Sequence, residues 1–541
     1  MTLSKEDREV LVEASERAAE GRRVLAVAGY GSKVAGYSRP DSDYDVLTVV
    51  DKLRPHAKYV YGEVGGAPFS ALVVEQEAFE RDAREGFLGE FVAGRLLNIY
   101  EAVVGEEYLL KTELDLKRRV VLETVEELLE RYGAFAEQML IPSSYFLFNK
   151  LKKRAFVYPP VLYSYVSTYS PPQKERNLRA SLIGFERALQ GLVADGLLRT
   201  EGEYYALSRG AEAKIRAPRF ADILRLAERG IKQYITHGFA GTVGPNTALK
   251  ELASKINRAR TMTKLPEELN EPRGLIRLPE GLLLFTSDWL QEVARALGIS
   301  MPYDYRTENM GEFFSTATLF TLSHREGVTK VVAKRYQDLW SFKWVVANLM
   351  TVTAKQFESR PMVRMTREYK GTMALRKAGV RVPKILAVCP EDKLIVKEFV
   401  DGETLESWTK KAMDGAEEGW RKVEAFGEAL GKIHSANYCL GDSKPGNVVF
   451  GPSGLYIVDL EQADEGGDQP WDVVEFLYYS AIPMASPDMA RQLVKTFKMG
   501  YLRTGFADNL RKAADVRYAI PFQLLVQPPV STAVREELSS G

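Results

Sequence analysis

Apolar and polar positions alternate in blocks along this chain, and the blocks predict its elements. Residues 4–20 carry apolar positions at helical spacing behind a Ser4 cap, with acidic residues in the first turn. Arg23 to Ala28 reads as an apolar strand that stops at Gly29-Tyr30-Gly31-Ser32, and Ser42 to Val50 reads as a second strand. A third strand runs from Phe69 to Val74 and ends at Glu75. Residues 115–140 predict one long amphipathic helix. Residues 174–195 predict another, with Leu178, Leu182, Phe185, Leu189 and Leu192 on one face. Gly196 to Arg199 and Tyr204 to Leu207 predict a hairpin. Further on, Thr329 to Lys334 and Leu394 to Val400 read as strands, and Trp471 to Phe476 as the start of a helix. No internal repeat or low-complexity segment interrupts the pattern.

Composition narrows the class. A chain of 541 residues implies two to four domains. Lys+Arg and Asp+Glu both number 73, so any nucleic-acid surface must be a local patch. Two cysteines, Cys389 and Cys439, exclude a disulfide framework and a cysteine-rich zinc site, and they suit a reducing cytoplasm. There is no signal-peptide core, and no apolar run approaches the roughly 20 residues of a membrane span, so the expectation is a cytoplasmic protein without membrane contact.

Candidate chemistry enters first at residues 31–45. Alternation places Asp43 and Asp45 on one side of their strand, opposite the Gly31-Ser32 turn. Paired carboxylates facing such a turn can hold metal ions against a triphosphate. Strand, Gly-Ser, strand and D-x-D in this order resemble the minimal nucleotidyltransferases of the DNA-polymerase-beta superfamily. The resemblance implies that Gly31 and Ser32 hold phosphates and that Asp43, Asp45 and Glu75 hold metal, with Glu77 as an alternative third acid on the same strand face.

The middle of the chain is basic in places. Phe148-Asn149-Lys150-Leu151-Lys152-Lys153-Arg154 lies beside Tyr145, Phe146, Phe156 and Tyr158. The helix at 174–195 followed by a hairpin resembles a winged helix, with Arg176, Arg179 and Arg187 on or near its exposed face. Lys250, Lys255, Arg258, Arg260 and Lys264 recur in a further helical stretch. One reading is phosphate-backbone binding to structured RNA through Lys150, Lys152, Lys153, Arg154, Arg176 and Arg179. The others are a solvated helix face and a protein-docking module. Residues 265–300, with Pro266, Pro272 and Pro279, read as a connector holding a short helix at 287–297.

The densest chemistry lies at 440–462, LGDSKPGNVVFGPSGLYIVDLEQ. Phosphoryl transfer needs a carboxylate to orient the attacking hydroxyl, and an amide oxygen with a second carboxylate to hold Mg²⁺. The D-x-K-P-x-N spacing resembles the catalytic loop of protein kinases, with Asp459-Leu460-Glu461 at the place of their D-F-G. That likeness makes Asp442 the catalytic aspartate and Asn447 and Asp459 metal ligands, with Lys444 facing the transferred phosphate. Upstream, Lys334 ends a strand like V-A-I-K, and Glu368 is its natural partner. Gly311 to Phe320 would form two strands around a turn, whose backbone with Ser315 and Thr316 covers phosphates. Glu398 stands at the strand entering an adenine-binding hinge. Together with R-E-Y-…-L-R-K-A-G-V-R-V-P, D-L-E-Q and W-D-V-V-E-F, this order resembles the RIO kinases and the kinase subunit of the KEOPS tRNA-modification complex. Leu440 stands where those kinases carry histidine before Gly-Asp, and His434 reads as structural.

The expected fold class is therefore α+β and multidomain. It comprises a nucleotidyltransferase-like mixed sheet with helices (1–110), a helical connector (111–145), a winged-helix middle (146–215), a helical linker region (216–300) and a bilobal protein-kinase-like domain (301–541). The expected activity is transfer of the γ-phosphate of ATP, with Mg²⁺, to a hydroxyl. RNA stands first as acceptor (tRNA ribose 2′-OH, or rRNA), then a protein Ser/Thr side chain. Nucleotide transfer by the N-terminal part, and an ATP-clamped RNA-binding scaffold, are the alternatives.

Overall fold

A computed structural model of the chain describes residues 3–211, 215, 265–310, 317–337 and 357–540. Lys250, Lys255, Arg258, Arg260 and Lys264, and the candidate phosphate-turn residues Gly311, Ser315 and Thr316, lie outside the described residues. The protein is a mixed α/β multidomain structure with several sheets. It divides into two compact units. The first comprises residues 1–131 and 136–277, the second residues 132–135 and 278–541. Among the described residues no helix is long and apolar enough to cross a membrane.

In the first unit, helix α1 (Lys5–Ala19) starts at a capping box. Ser4 Oγ accepts from Asp7 N at 3.0 Å, and Asp7 Oδ2 accepts from Ser4 N at 2.9 Å. Its buried face, Leu11, Ala14 and Ala18, packs on Val27, Val46, Val50, Phe69 and Ala71 of the sheet. The strands are β1 (Val24–Tyr30), β2 (Tyr44–Val50), β3 (Ala57–Val64), β4 (Ala67–Glu75) and β5 (Glu101–Val104). Their order is β3-β4-β2-β1-β5. Strands β2 and β4 run parallel, while the other neighbours are antiparallel. The alternation seen in the sequence did not reveal β3, because this edge strand is half exposed and carries Gly62. That glycine is covered by Phe69 of β4, whose ring would stand 2.7 Å from a Cβ.

The long helix runs over Glu106–Tyr132 instead of 115–140. It starts behind the left-handed Gly105 and stops at Gly133, which takes φ +52°. The Lys174–Ala194 helix buries Phe185, Leu189 and Leu192 as its periodicity predicts, and β6 (Leu198–Glu201) and β7 (Tyr204–Leu207) follow as an antiparallel hairpin.

The second unit contains a six-stranded sheet of β8 (Leu282–Leu283), β9 (Asp304–Met310), β10 (Ala317–His324), β11 (Gly327–Arg335), β12 (Ile385–Cys389) and β13 (Leu394–Glu398). Its order is β8-β12-β13-β11-β10-β9. The Pro361–Lys377 helix lies between β11 and β12 in the chain. A helical part follows, with a core of Phe426, Leu430, Ile433, Trp471, Phe476, Phe497 and Val530. The Val448–Gly451 and Gly454–Ile457 strands form a tight hairpin that leads into Asp459.

Candidate active site

Strand β11 delivers Lys334 near its end, beside Ile395 of β13, and the Pro361–Lys377 helix delivers Glu368. Lys334 Nζ lies 3.1 Å from Glu368 Oε2, 2.7 Å from Asp459 Oδ1 and 2.9 Å from Glu461 Oε2. Burial alone would lower the Lys334 pKa, but Asp459, Glu368 and Glu461 outweigh it and hold the ammonium well above its usual range. For Asp459, burial raises the carboxyl, yet Lys334 and Lys397 win and hold it below the usual carboxylate range. The structure thus brings together Lys334, Glu368 and Asp459, which are widely separated in the chain.

The loop at 440–447 is fixed from beneath by the Gln469–Ala481 helix. Asp472, fully buried, accepts from Leu440 N at 2.5 Å and from Gly441 N at 2.7 Å. Glu475 accepts from Ser443 N at 2.8 Å and from the Trp471 indole at 3.2 Å. His434 Nε2 lies 3.2 Å from Asp472 and its Nδ1 lies 2.7 Å from the Tyr501 hydroxyl, so it supports the loop from a buried position. Leu440, in the place where a histidine was expected, fills the core while its backbone N–H serves Asp472. Gly441 takes φ +72°, a conformation that favours glycine, at the point where the chain turns toward Asp442.

Asp442 emerges half-buried from this support. Lys444 Nζ lies 2.7 Å from its Oδ1, an ion pair rather than an aligned hydrogen bond. Burial lowers the Lys444 pKa, but Asp442 and Glu475 outweigh it and hold it raised. Asn447 donates its amide nitrogen to the Asp442 carbonyl at 3.0 Å, which leaves the amide oxygen as an acceptor. That oxygen and the Asp459 carboxylate are hard donors of the kind Mg²⁺ takes, so these residues fit the ion. Glu398 ends β13, and its carboxylate accepts from Lys384 N at 3.0 Å.

Lys397, Arg364, Glu461 and Glu475 were not read as site residues from the sequence. Lys397 on β13 is buried, donating to Glu368 Oε1 at 2.6 Å and to the Val458 carbonyl at 2.7 Å. Arg364 Nη2 lies 2.7 Å from Glu461 Oε2, and Glu475 anchors the loop. Lys397 carried a usable signal. A lysine directly after the apolar run Leu394-Ile395-Val396 must find a carboxylate if the strand is buried.

The first unit holds a second polar cluster, in part different from expectation. Gly31 takes φ +77° and opens the short helix α2 (Gly31–Ala35), with Ser32 following it. A Cβ on Gly31 would stand 1.8 Å from Asp45 Oδ2, so only glycine lets the turn approach the carboxylate. Asp43 lies just before β2. Glu75 does not join them. In the parallel β2–β4 register Asp45 faces Ser70, and Glu75 faces Val50 at the other end. Five residues of strand separate the two places, about 16 Å at the usual rise. Glu75 instead pairs with His56 and lies 3.8 Å from Arg54. Glu77 belongs to the Gln76–Glu85 helix rather than to the strand. Among the described residues no three His, Cys, Asp or Glu side chains are grouped to hold a metal ion.

The basic run is also corrected. Lys150 and Arg154 are 7% and 4% exposed, and both pair with Glu90, at 2.6 Å and 3.1 Å. Arg154 also donates to the Tyr165 hydroxyl at 3.0 Å. Side chains so buried and bonded do not reach a phosphate backbone, and Tyr145 and Phe146 beside them are core residues. Arg176 donates to the Val34 carbonyl at 2.8 Å, closing the end of α2. Lys153 pairs with Glu127, and Lys152, exposed, lies 3.7 Å from Glu271. Arg179 is exposed.

No family model matches the chain. Over 105 residues the chain is 29% identical to the "KEOPS complex subunit Bud32" of Pyrococcus abyssi, covering 19% of this chain and 47% of that protein. Over 162 residues it is 29% identical to the "Probable serine/threonine-protein kinase BUD32 homolog" of Archaeoglobus fulgidus, covering 30% of this chain and 77% of that protein. Over 323 residues it is 24% identical to a "Probable bifunctional tRNA threonylcarbamoyladenosine biosynthesis protein" of Methanosarcina barkeri, covering 54% of each. The matches thus span about half the length of the Pyrococcus and Methanosarcina relatives. These similarities support a Bud32-like kinase domain in this chain.

Proposed function

We propose that the second unit is an ATP- and Mg²⁺-dependent phosphotransferase that moves the γ-phosphate to a hydroxyl, with RNA, foremost tRNA, as the acceptor. The observation that carries the reading is the convergence of Lys334, Glu368 and Asp459 at 2.7–3.1 Å, in the same unit as the Asp442–Asn447 loop. In this reading Lys334, steadied by Glu368, neutralises the nucleotide phosphates. Asp442 accepts the hydrogen of the attacking hydroxyl and orients its oxygen, and Lys444 faces the transferred phosphoryl group. Asn447 and Asp459 would hold Mg²⁺, which supplies charge neutralisation along the phosphates. Glu398 ends the strand that leads to the adenine-binding backbone, and Gly311, Ser315 and Thr316 would cover the phosphates.

The tRNA acceptor is supported by the relatives named for KEOPS and for tRNA threonylcarbamoyladenosine biosynthesis. It does not rest on Lys150 or Arg154, which are buried. The first unit, with a Gly-Ser turn against Asp45 and a winged-helix-like end, is read as a recognition module. With Ser70 rather than an acid beside Asp45, no third carboxylate joins Asp43 and Asp45 among the described residues, and metal-assisted nucleotide transfer depends on carboxylates that hold the ions. Arg179 and Lys152 remain as exposed cations of that unit. A protein Ser/Thr acceptor is the second reading, favoured by the name of the Archaeoglobus relative.

The test is transfer from ATP labelled on its γ-phosphate in the presence of total tRNA, with Asp442→Ala as control. Label in RNA that is lost in the variant is the expected result. Label confined to protein replaces the RNA acceptor with a protein one. Bound ATP with no transfer to either overturns the kinase reading.

A further inference from the structure

Lys334 is held by three carboxylates at once, Glu368, Asp459 and Glu461. A lysine that must turn to a nucleotide phosphate has to loosen these contacts. A buried carboxylate stripped of its cation is strongly destabilising, so the arrangement needs an answer to what Glu368 and Glu461 do when Lys334 leaves. The structure contains it. Glu368 places its other oxygen, Oε1, 2.6 Å from Lys397 Nζ. Glu461 Oε2 lies 2.7 Å from Arg364 Nη2. The Asp459 side chain is 29% exposed, so water can serve it, whereas Glu368 and Glu461 are buried. Lys334, Lys397 and Arg364 thus balance Glu368, Asp459 and Glu461 charge for charge. Lys397 also donates to the carbonyl of Val458, the residue before Asp459, at 2.7 Å. The Glu368 oxygen shared with Lys334 accepts from Leu460 N at 3.3 Å.

We propose that Lys397 is a positioning residue that frees Lys334 for the nucleotide. It keeps Glu368 neutralised and in place when Lys334 turns to phosphate, and it pins the segment carrying Asp459 to the same carboxylate. Arg364 does the like for Glu461. The inference rests on the kinase reading of this site. Lys397 touches neither substrate nor metal in this scheme, and it acts only through Glu368 and the Val458 carbonyl. Its consequence is specific. The neutralising value of Lys397 exists only while Glu368 bears a charge, because an uncharged side chain there needs no standby cation, whereas its bond to the Val458 carbonyl persists.

The experiment measures affinity for ATP, with and without Mg²⁺, by calorimetry on the full chain. The proteins are wild type, Lys397→Met, Lys397→Arg, Glu368→Gln and the Glu368→Gln/Lys397→Met double variant. Lys397→Met is expected to weaken ATP binding by about tenfold or more, and Lys397→Arg to retain it within about threefold. The double variant is expected to bind within about threefold of Glu368→Gln, so that the two changes are largely coupled and only the Val458 contact is left to add. Equal binding by wild type and Lys397→Met overturns the proposal. So does a double variant weaker than Glu368→Gln by the same factor that Lys397→Met costs alone, since a merely structural lysine would give that additivity. Should Lys397→Met fail to fold, the comparison within the Glu368→Gln background decides by the same criterion. A wild-type protein that binds no ATP refutes the kinase reading itself, an outcome distinct from failure of the coupling.

Discussion

Replacing Asp472 with Asn tests whether the catalytic loop is held from the core. Asp472 is fully buried, and its two oxygens receive three donors. Leu440 N and Gly441 N lie at 2.5 Å and 2.7 Å, and His434 Nε2 at 3.2 Å. Asparagine keeps the shape but has one acceptor oxygen. Its amide N–H₂ must then face an N–H donor, and at least one backbone donor is left without a partner. Bonds to a charged acceptor contribute roughly 1.5–3 kcal/mol each, and an orphaned buried donor costs roughly 1–3 kcal/mol. The expected loss is about 3 kcal/mol or more in the second unit.

The assay is selective by accident of sequence. All six tryptophans, at 289, 340, 344, 408, 420 and 471, lie in the second unit. Tryptophan fluorescence during urea unfolding therefore reports that unit alone, which avoids treating a two-unit chain as one transition. Phosphate transfer is expected to fall as well, because Gly441 and Asp442 lose their fixed position. A change below about 1 kcal/mol would refute the reasoning, since it would mean that the loop donors find other partners at no cost.

Other expectations follow from the same physics. Arg154→Met removes bonds to the Glu90 carboxylate and carbonyl and to Tyr165. It is expected to destabilise the first unit by about 2–3 kcal/mol in circular-dichroism melts, and unchanged melting would restore Arg154 as a surface residue. The Cys389 thiol, pushed up to about 12 by burial and the nearby Asp392, is expected to resist a thiol reagent at pH 8 until urea unfolds the protein, and rapid labelling of the native chain would contradict this.

The pH response has a definite sign on each side. Asp459 is lowered from its usual 3.8, so the stability it contributes is present above that value and lost as pH falls through its folded pKa. Lys334 is raised above its usual 10.5, so its contribution is present below that value and lost as pH rises through its folded pKa. Tryptophan-detected stability is expected to lose the Asp459 contribution on the acid side and the Lys334 contribution on the strongly alkaline side. Replacing Lys334 with Met should remove that alkaline component.

By itself the sequence determined many of the elements, though not β3 or the bounds of the Glu106–Tyr132 helix, and the order of the chemistry. Helical periodicity placed α1 and the Lys174–Ala194 helix, and strand alternation with a Gly-Ser stop placed β1 and β2. The succession Lys334, Glu368, Asp442, Asn447, Asp459, Asp472 was legible because those residues stand on or beside locally encoded strands, turns and helices. Only the tertiary structure decided which way β4 runs beside β2, and that direction carries Glu75 away from Asp45. It also decided that Lys150 and Arg154 turn inward to Glu90, and that Lys397 and Arg364 share the carboxylates around Lys334. Periodicity fixes the face on which a side chain stands, because neighbouring residues set it. Strand direction, burial and the partner of a charge depend on residues far apart in the chain, and folding alone brings those together.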